Sequence, residues 1–228
     1  RWISGNRTRC GNLLKVMKRA QMRNFFTAMF ISRGTPLILG GDEWMRTQFG
    51  NNNAYSTWAD NEWNWLRWGE WQNVTATQRY RMYNFVQELI RFRSSQKERL
   101  NPASHSATPP AFKDANNSEL SGEQWGSQRH MMLHHYAEAD TGELAILINM
   151  ESGPVEFTLP TGRNWHRVVD TQAWFDQPTD GSEPDGFLSE DQTRDPYRSW
   201  NITIDEAALI ENATYTASPF SMIILEER

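Results

Sequence analysis

The chain has 228 residues, 38% of them hydrophobic and 22% charged, with a formal net charge of -5. That balance fits a globular protein with a real core and excludes a disordered or fibrous chain. No apolar run approaches the roughly 18 to 20 residues needed to span a bilayer, and no charged-then-apolar leader opens the chain, so a cytoplasmic protein with no membrane partner is expected. The single cysteine, Cys10, cannot form an internal disulfide, and nothing marks an oxidising compartment. Residues 1 to 100 carry 16 Lys or Arg against 7 Asp or Glu, whereas residues 101 to 228 carry 7 against 21. The two parts read as different domains. The basic charges are spread along predicted helices with no nucleic-acid signature, so a solvated helix face is expected rather than a nucleic-acid partner.

The first element is an amphipathic helix over residues 12 to 32, where Leu13, Val16, Met17 and Ala20, then Met22, Phe25, Phe26 and Met29, recur at spacings of three and four. Arg33-Gly34-Thr35-Pro36 stops it, with Gly34 suited to a left-handed cap. Leu37-Ile38-Leu39 is a continuous apolar run ending at Gly40-Gly41, which predicts a short strand buried on both faces, as in a parallel sheet. A long polar loop follows. Residues 77 to 97 then repeat the helical pattern, with Met82, Phe85, Val86, Leu89 and Phe92 on one side.

From Asn101-Pro102 the texture changes, and "NPASHSATPP" reads as a linker. "RHMMLHHYA" and "ELAILINM" flank "EADTG" as a hairpin, and "VEFTLP", "WHRVVD", "WNITID" and "SPFSMIILEE" complete a set of short strands. An antiparallel β-sandwich is expected here. The stretch from about 171 to 199, rich in Asp, Pro and Gly, reads as a long surface loop.

Glycosidic hydrolysis needs two facing carboxylates, roughly 5 to 5.5 Å apart for retention or roughly 6.5 to 9.5 Å for inversion. Asp42 and Glu43 are neighbours in sequence, so on a continuing strand they point to opposite faces and make a poor pair. The plainer expectation is that one orients the loop through backbone amides while the other meets an Arg such as Arg46. Asp60 and Glu62 could share a face or sit in a turn. Asn51, Asn52 and Asn53 offer donors and acceptors beside aromatic rings, which suits the hydroxyls and C–H faces of sugars. Six tryptophans, Trp44, Trp58, Trp63, Trp65, Trp68 and Trp71, fall within 28 residues. Individually they read as packing residues, with Trp65 and Trp68 placed to enter the second helix, while the cluster as a whole is harder to assign to packing alone. His130, His134 and His135 lack the Glu of an H-E-x-x-H zinc site. No Walker loop, dinucleotide fingerprint or G-x-S-x-G elbow occurs, so phosphate and hydride chemistry are not expected, nor is any cofactor or metal.

The stretch "RGTPLILGGDEWMRTQFGNNNAYSTWADNEWNWLRW" closely resembles the end of the catalytic barrel in bacterial glycogen debranching enzymes and isoamylases of the alpha-amylase superfamily, glycoside hydrolase family 13. The matching positions are Gly34, Pro36, Gly41, Asp42, Glu43, Arg46, Thr47, Gln48, Gly50, Asn51, Asn52, Asn53, Ala54, Tyr55, Asp60, Asn61, Trp65 and Trp68. The sequence departs from the family pattern at Trp44-Met45 and at Ser56, with Thr57 and Trp58 inserted, which bears on the shape of the glycan groove.

The resemblance implies an α+β chain: the last part of a (β/α)8 barrel over residues 1 to 100, as helix, strand, loop and helix, then an all-β sandwich over 101 to 228. A complete barrel takes about 250 residues. The family's nucleophilic Asp, acid Glu and third Asp lie on earlier strands, upstream of Arg1, so no catalytic residue is assigned to this chain and the isolated chain is expected to be inactive. The implied activity of the parent enzyme is hydrolysis of α-1,6 branch linkages. Its implied partners are α-glucans such as glycogen, limit dextrin and branched maltodextrin, together with the upstream barrel portion. Arg46, Asn51, Asn53, Tyr55 and Asp60 are expected to shape or contact glucan subsites, with Trp44 or Trp58 as candidate stacking platforms. A branching or trehalose-forming relative, or a non-catalytic glucan-binding module, are the alternatives.

Overall fold

The computed structural model describes residues 7–48, 60–62, 64–66, 77–102, 108–137, 142–172 and 208–228. Helix α1 runs Arg7–Ile31. Its last carbonyls are capped from a distance: the Arg93 guanidinium, from helix α2 (Thr77–Ser95), donates to the carbonyls of Phe30, Ser32 and Gly34. A helix leaves its final carbonyls without intrahelical donors, and one cation here serves Phe30 inside the helix and two carbonyls of the turn just beyond it. Gly34 lies at φ 104, the left-handed region expected of a helix stop.

The predicted stripe on α2 is buried throughout, with Met82, Phe85, Val86, Leu89 and Phe92 all in the core. Helix α1 divides its apolar residues differently. Ala20, Phe26 and Phe30 are buried along with the polar Arg19, Arg23, Asn24 and Thr27, whereas Phe25 is exposed and Met22 and Met29 are half-buried. The inward face of α1 is therefore largely polar, and part of its apolar stripe faces out.

Leu37-Ile38-Leu39 is not a strand. The described residues give it no sheet partner, and Leu37 is 88% exposed, with only Ile38 packed on the core. A strand exists through its ladder of hydrogen bonds to a neighbour, and the two sheets described below are built wholly from residues beyond 110. The buried-strand expectation for this segment is corrected accordingly.

A short helix α3 (Lys97–Leu100) leads to the β part, which has strands β1 (Ala111–Lys113), β2 (His130–His135), β3 (Leu144–Asn149), β4 (Val155–Thr158), β5 (Trp165–Asp170), β6 (Ala208–Leu209), β7 (Thr214–Ala217) and β8 (Ser221–Glu227), with helix α4 (Gln124–Ser127) between β1 and β2. The strands form an antiparallel six-stranded sheet in the order β1-β2-β3-β8-β5-β6 and a separate two-stranded sheet of β4 and β7. The predicted hairpin pairs β2 with β3 from His130–Asn149 to His135–Leu144. "WNITID" and nearly all of the predicted 171–199 loop lie outside the described residues.

The central strands are buried on both faces. Along β3, Leu144 and Ile146 join the cluster that contains α1 and α2, while Ala145 and Leu147 join Phe157 of β4 and Ala217 of β7 in a second cluster. Strand β8 does the same, with Ile224 on the helix side and Ile223 and Leu225 on the other. A bulge at Val168 turns both Val168 and Val169 toward the helices. The layers are thus helices, large sheet, small sheet.

A polar knot ties α1 to this sheet. The Arg23 Nε donates to the carbonyl of Thr171 at 2.7 Å, the Asn24 amide donates to the carbonyl of Phe220 at 2.7 Å, and the Thr171 hydroxyl donates to Asn24 Oδ1 while accepting the Met222 N–H at 2.8 Å. Beside it the buried carboxyl of Asp170, raised by desolvation, accepts the Tyr215 hydroxyl at 3.1 Å. Among the described residues no helix is long and apolar enough to cross a membrane.

Candidate functional site

The loop after Leu39 turns on Gly41, whose φ is 99. A side chain there would be strained, and its Cβ would stand 2.6 Å from Leu66 Cδ1. Glycine thus lets the far end of the loop, at Leu66, close onto its beginning. One 3-10 turn follows over Asp42–Trp44, and Met45 leaves it at φ 54.

The adjacent carboxylates do not face each other across a gap. Glu43 folds back and its Oε2 accepts the Gly41 N–H at 3.0 Å, holding the turn. Asp42 is pushed up by burial, which the Arg46 charge partly opposes and the Glu43 charge reinforces. Its own amide donates to the Leu39 carbonyl at 3.0 Å. One carboxylate orients the loop and the other neighbours Arg46, as the sequence suggested.

Trp44 is only 7% exposed and meets the Tyr83 ring edge-on, with centroids 6.1 Å apart. Its faces are taken up by the protein, which corrects the expectation of a stacking platform: packing against α2 wins over exposure because a large ring gains most from full burial. Trp65, expected as a packing residue, is instead 59% exposed, and its indole N–H is held by Asp60 Oδ1. Its bound edge fixes the ring while its body stays open.

Polar side chains bridge the two described ends of the loop. Gln48 donates to Asn64 Oδ1 at 3.3 Å, and Asn64 lies against Asn61 Oδ1 at 3.5 Å. Asn64 was not singled out from the sequence, and the only signal for it was an amide placed between two tryptophans. Arg46 and Asp42 stand at the rim of a cleft of ≈ 260 Å³ whose walls are Met22, Phe25, Phe26, Met29, Leu37 and Ile38. The described portion thus joins Trp44, Arg46 and Asp60 to one turn system. Asn51, Asn53, Tyr55 and Trp58 lie outside the described residues.

The histidines of β2 serve the sheet. His134 Nε2 pairs with Glu143 Oε2 at 2.7 Å, and His130 Nδ1 lies 3.3 Å from Glu151. Among the described residues no group of three His, Cys, Asp or Glu is arranged to hold a metal.

No family model matches the chain. An isoamylase from Flavobacterium sp is 32% identical over 186 residues, which cover 71% of this chain and 22% of that protein. Among solved structures, a pullulanase from Bacillus acidopullulyticus superposes with a TM-score of 0.59 at 15% identity, covering 92% of this chain and 20% of the pullulanase. A pullulanase from Anoxybacillus sp. LM18-11, complexed with maltotetraose, gives a TM-score of 0.58 at 11% identity, covering 92% and 24%. At those identities the two pullulanases speak for the fold alone. The chain spans 22% of the isoamylase's length. Most of the chain is nevertheless the homologue of one stretch of isoamylase-type debranching enzymes, glycosidases of the alpha-amylase superfamily.

Proposed function

We propose that the chain is the C-terminal portion of an enzyme that hydrolyses α-1,6 branch linkages in glycogen or limit dextrin, with the reacting carboxylates outside this chain. The observation that carries the reading is the 32% identity to an isoamylase over 186 residues. The loop geometry is consistent with it: Asp42 and Glu43 are engaged in the turn and neither is placed to act as nucleophile or acid. In such barrels the substrate cleft lies at the carboxyl ends of the strands; Leu37–Leu39, which pairs with no described strand, takes its strand place against the rest of the longer enzyme's barrel in this reading, and the segment after it opens onto the cleft.

In this reading residues 1 to 100 are the last part of the barrel and residues 101 to 228 its β-sandwich. The outward stripe of α1 and the exposed Leu37 support the first half of that division, because both present apolar surface suited to a neighbouring strand and helix. Arg46, Asn51, Asn53, Tyr55, Asp60 and Trp58 form one wall of the glucan cleft, and Trp44 stiffens that wall from behind. Replacing Asn51 and Asn53 by Ala in the longer enzyme raises KM or lowers kcat on branched glucan, at unchanged thermal stability. Unaltered kinetics in a stably folded double variant exclude the wall.

A further inference from the structure

We infer that the β part carries a second glucan-contact site, remote in sequence from the 40–66 loop: an aromatic platform of Phe112 and Trp125 that takes the pyranose faces of an α-1,4-linked outer chain. Phe112 lies on β1, the edge strand of the large sheet, and Trp125 on helix α4. They are 40% and 53% exposed, their ring centroids 5.2 Å apart and their planes inclined by 59°. Two neighbouring rings left in water are a cost unless something covers them.

The rings are held rather than loose. Asp114, one residue beyond β1, accepts the amides of Asn116 and Ser118 and the side-chain amide of Gln124, which in turn accepts the Ser121 N–H at 2.8 Å. Helix α4 is thereby pinned to the turn after β1. Gly122 and Gly126 stand either side of Trp125, and a Cβ at either would meet nothing within 4 Å.

The surroundings choose the occupant. The charged neighbours of Phe112 are engaged within the chain, Asp114 by the Asn116, Ser118 and Gln124 amides and the buried Lys113 by Asn117 Oδ1, and the stretch 121–128, "SGEQWGSQ", adds hydroxyls and amides with Glu123 as its one charge. A glucose ring offers an apolar C–H face to an aromatic ring and hydroxyls to neighbouring amides. An α-1,4 chain curves from one residue to the next, and two inclined rings suit that curve better than a flat pair. This inference rests on the α-glucan reading of the parent enzyme.

The test is native electrophoresis of the 228-residue chain in gels containing graded glycogen. Trp125→Ala weakens retardation about tenfold, equivalent to roughly 1.4 kcal/mol. Trp125→Phe keeps most of it. Equal retardation of Trp125→Ala and the unaltered chain, at matching unfolding midpoints, overturns the inference. So does a concentration-dependent dimer that Trp125→Ala abolishes, since the rings then serve a second copy. Debranching by the longer enzyme is scored separately: activity on glycogen without a Trp125 effect removes the platform alone, and a Trp125-dependent retardation without debranching removes the proposed activity alone.

Discussion

The Thr171 hydroxyl is the hinge of the knot between α1 and the large sheet, and its removal has a calculable consequence. Thr171→Val keeps the shape and deletes the oxygen, so the buried Met222 N–H loses its acceptor and Asn24 Oδ1 loses a donor. Each buried group left unsatisfied costs about 1 to 3 kcal/mol, giving about 2 to 6 kcal/mol for the two. Thr171→Ser keeps the oxygen and deletes one methyl, a loss of about 0.8 kcal/mol. The Arg23 bond goes to the Thr171 carbonyl and survives in both variants, so the difference between them isolates the hydroxyl. Urea unfolding monitored by circular dichroism reads both values. A Val variant no less stable than the Ser variant refutes the knot as an energetic link.

Two further outcomes follow from other sites. Burial lowers His134 below its ordinary 6.5, and Glu143, bonded to Arg163 and His134, lies below its ordinary 4.5 despite desolvation. In both cases the unfolded chain takes up protons first, so stability is whole above 6.5, falls as pH drops below it through His134, and falls again below 4.5 through Glu143. Urea midpoints measured from about pH 7.5 to about pH 5 decline, and His134→Gln flattens that decline; an unflattened profile means another group is responsible. Leu37→Ala changes the stability of this chain by less than about 0.5 kcal/mol, because the side chain is already in water. In the longer enzyme the same change costs about 2 kcal/mol or more, and an equal small cost in both denies Leu37 a covering layer.

Much of the architecture was legible because periodicity and burial are the same physical fact. The α2 stripe from Met82 to Phe92 was named correctly to the residue, since a helix with a single core has one apolar face to satisfy. The hairpin of β2 and β3 was legible for the same reason at period two. Strands β1, β6 and β7 were missed: β1 and β6 are two or three residues long and carry too few alternations to register, whereas β7 is as long as the legible β4.

The failures share a cause as well. A continuous apolar run states that both faces of a segment are to be buried, and it is silent on what buries them. "LAILI" in β3 and "LILG" after α1 read alike, yet the first lies between helices and a second sheet while the second packs only Ile38 on the helices and pairs with no described strand. Likewise the stripe of α1 was read as one face, but Arg23, Asn24 and Thr27 turn inward to the sheet and Phe25 turns out. Both residual surfaces, the exposed Leu37 and the outward Phe25, line the same cleft. Two independent apolar signals that fail in one place are better explained by a single missing neighbour than by two errors of pattern. The same logic separates the tryptophans, since Trp44 finds Tyr83 within the chain and is buried, while Trp65 finds only Asp60 for its polar edge and keeps its ring open to whatever the loop receives.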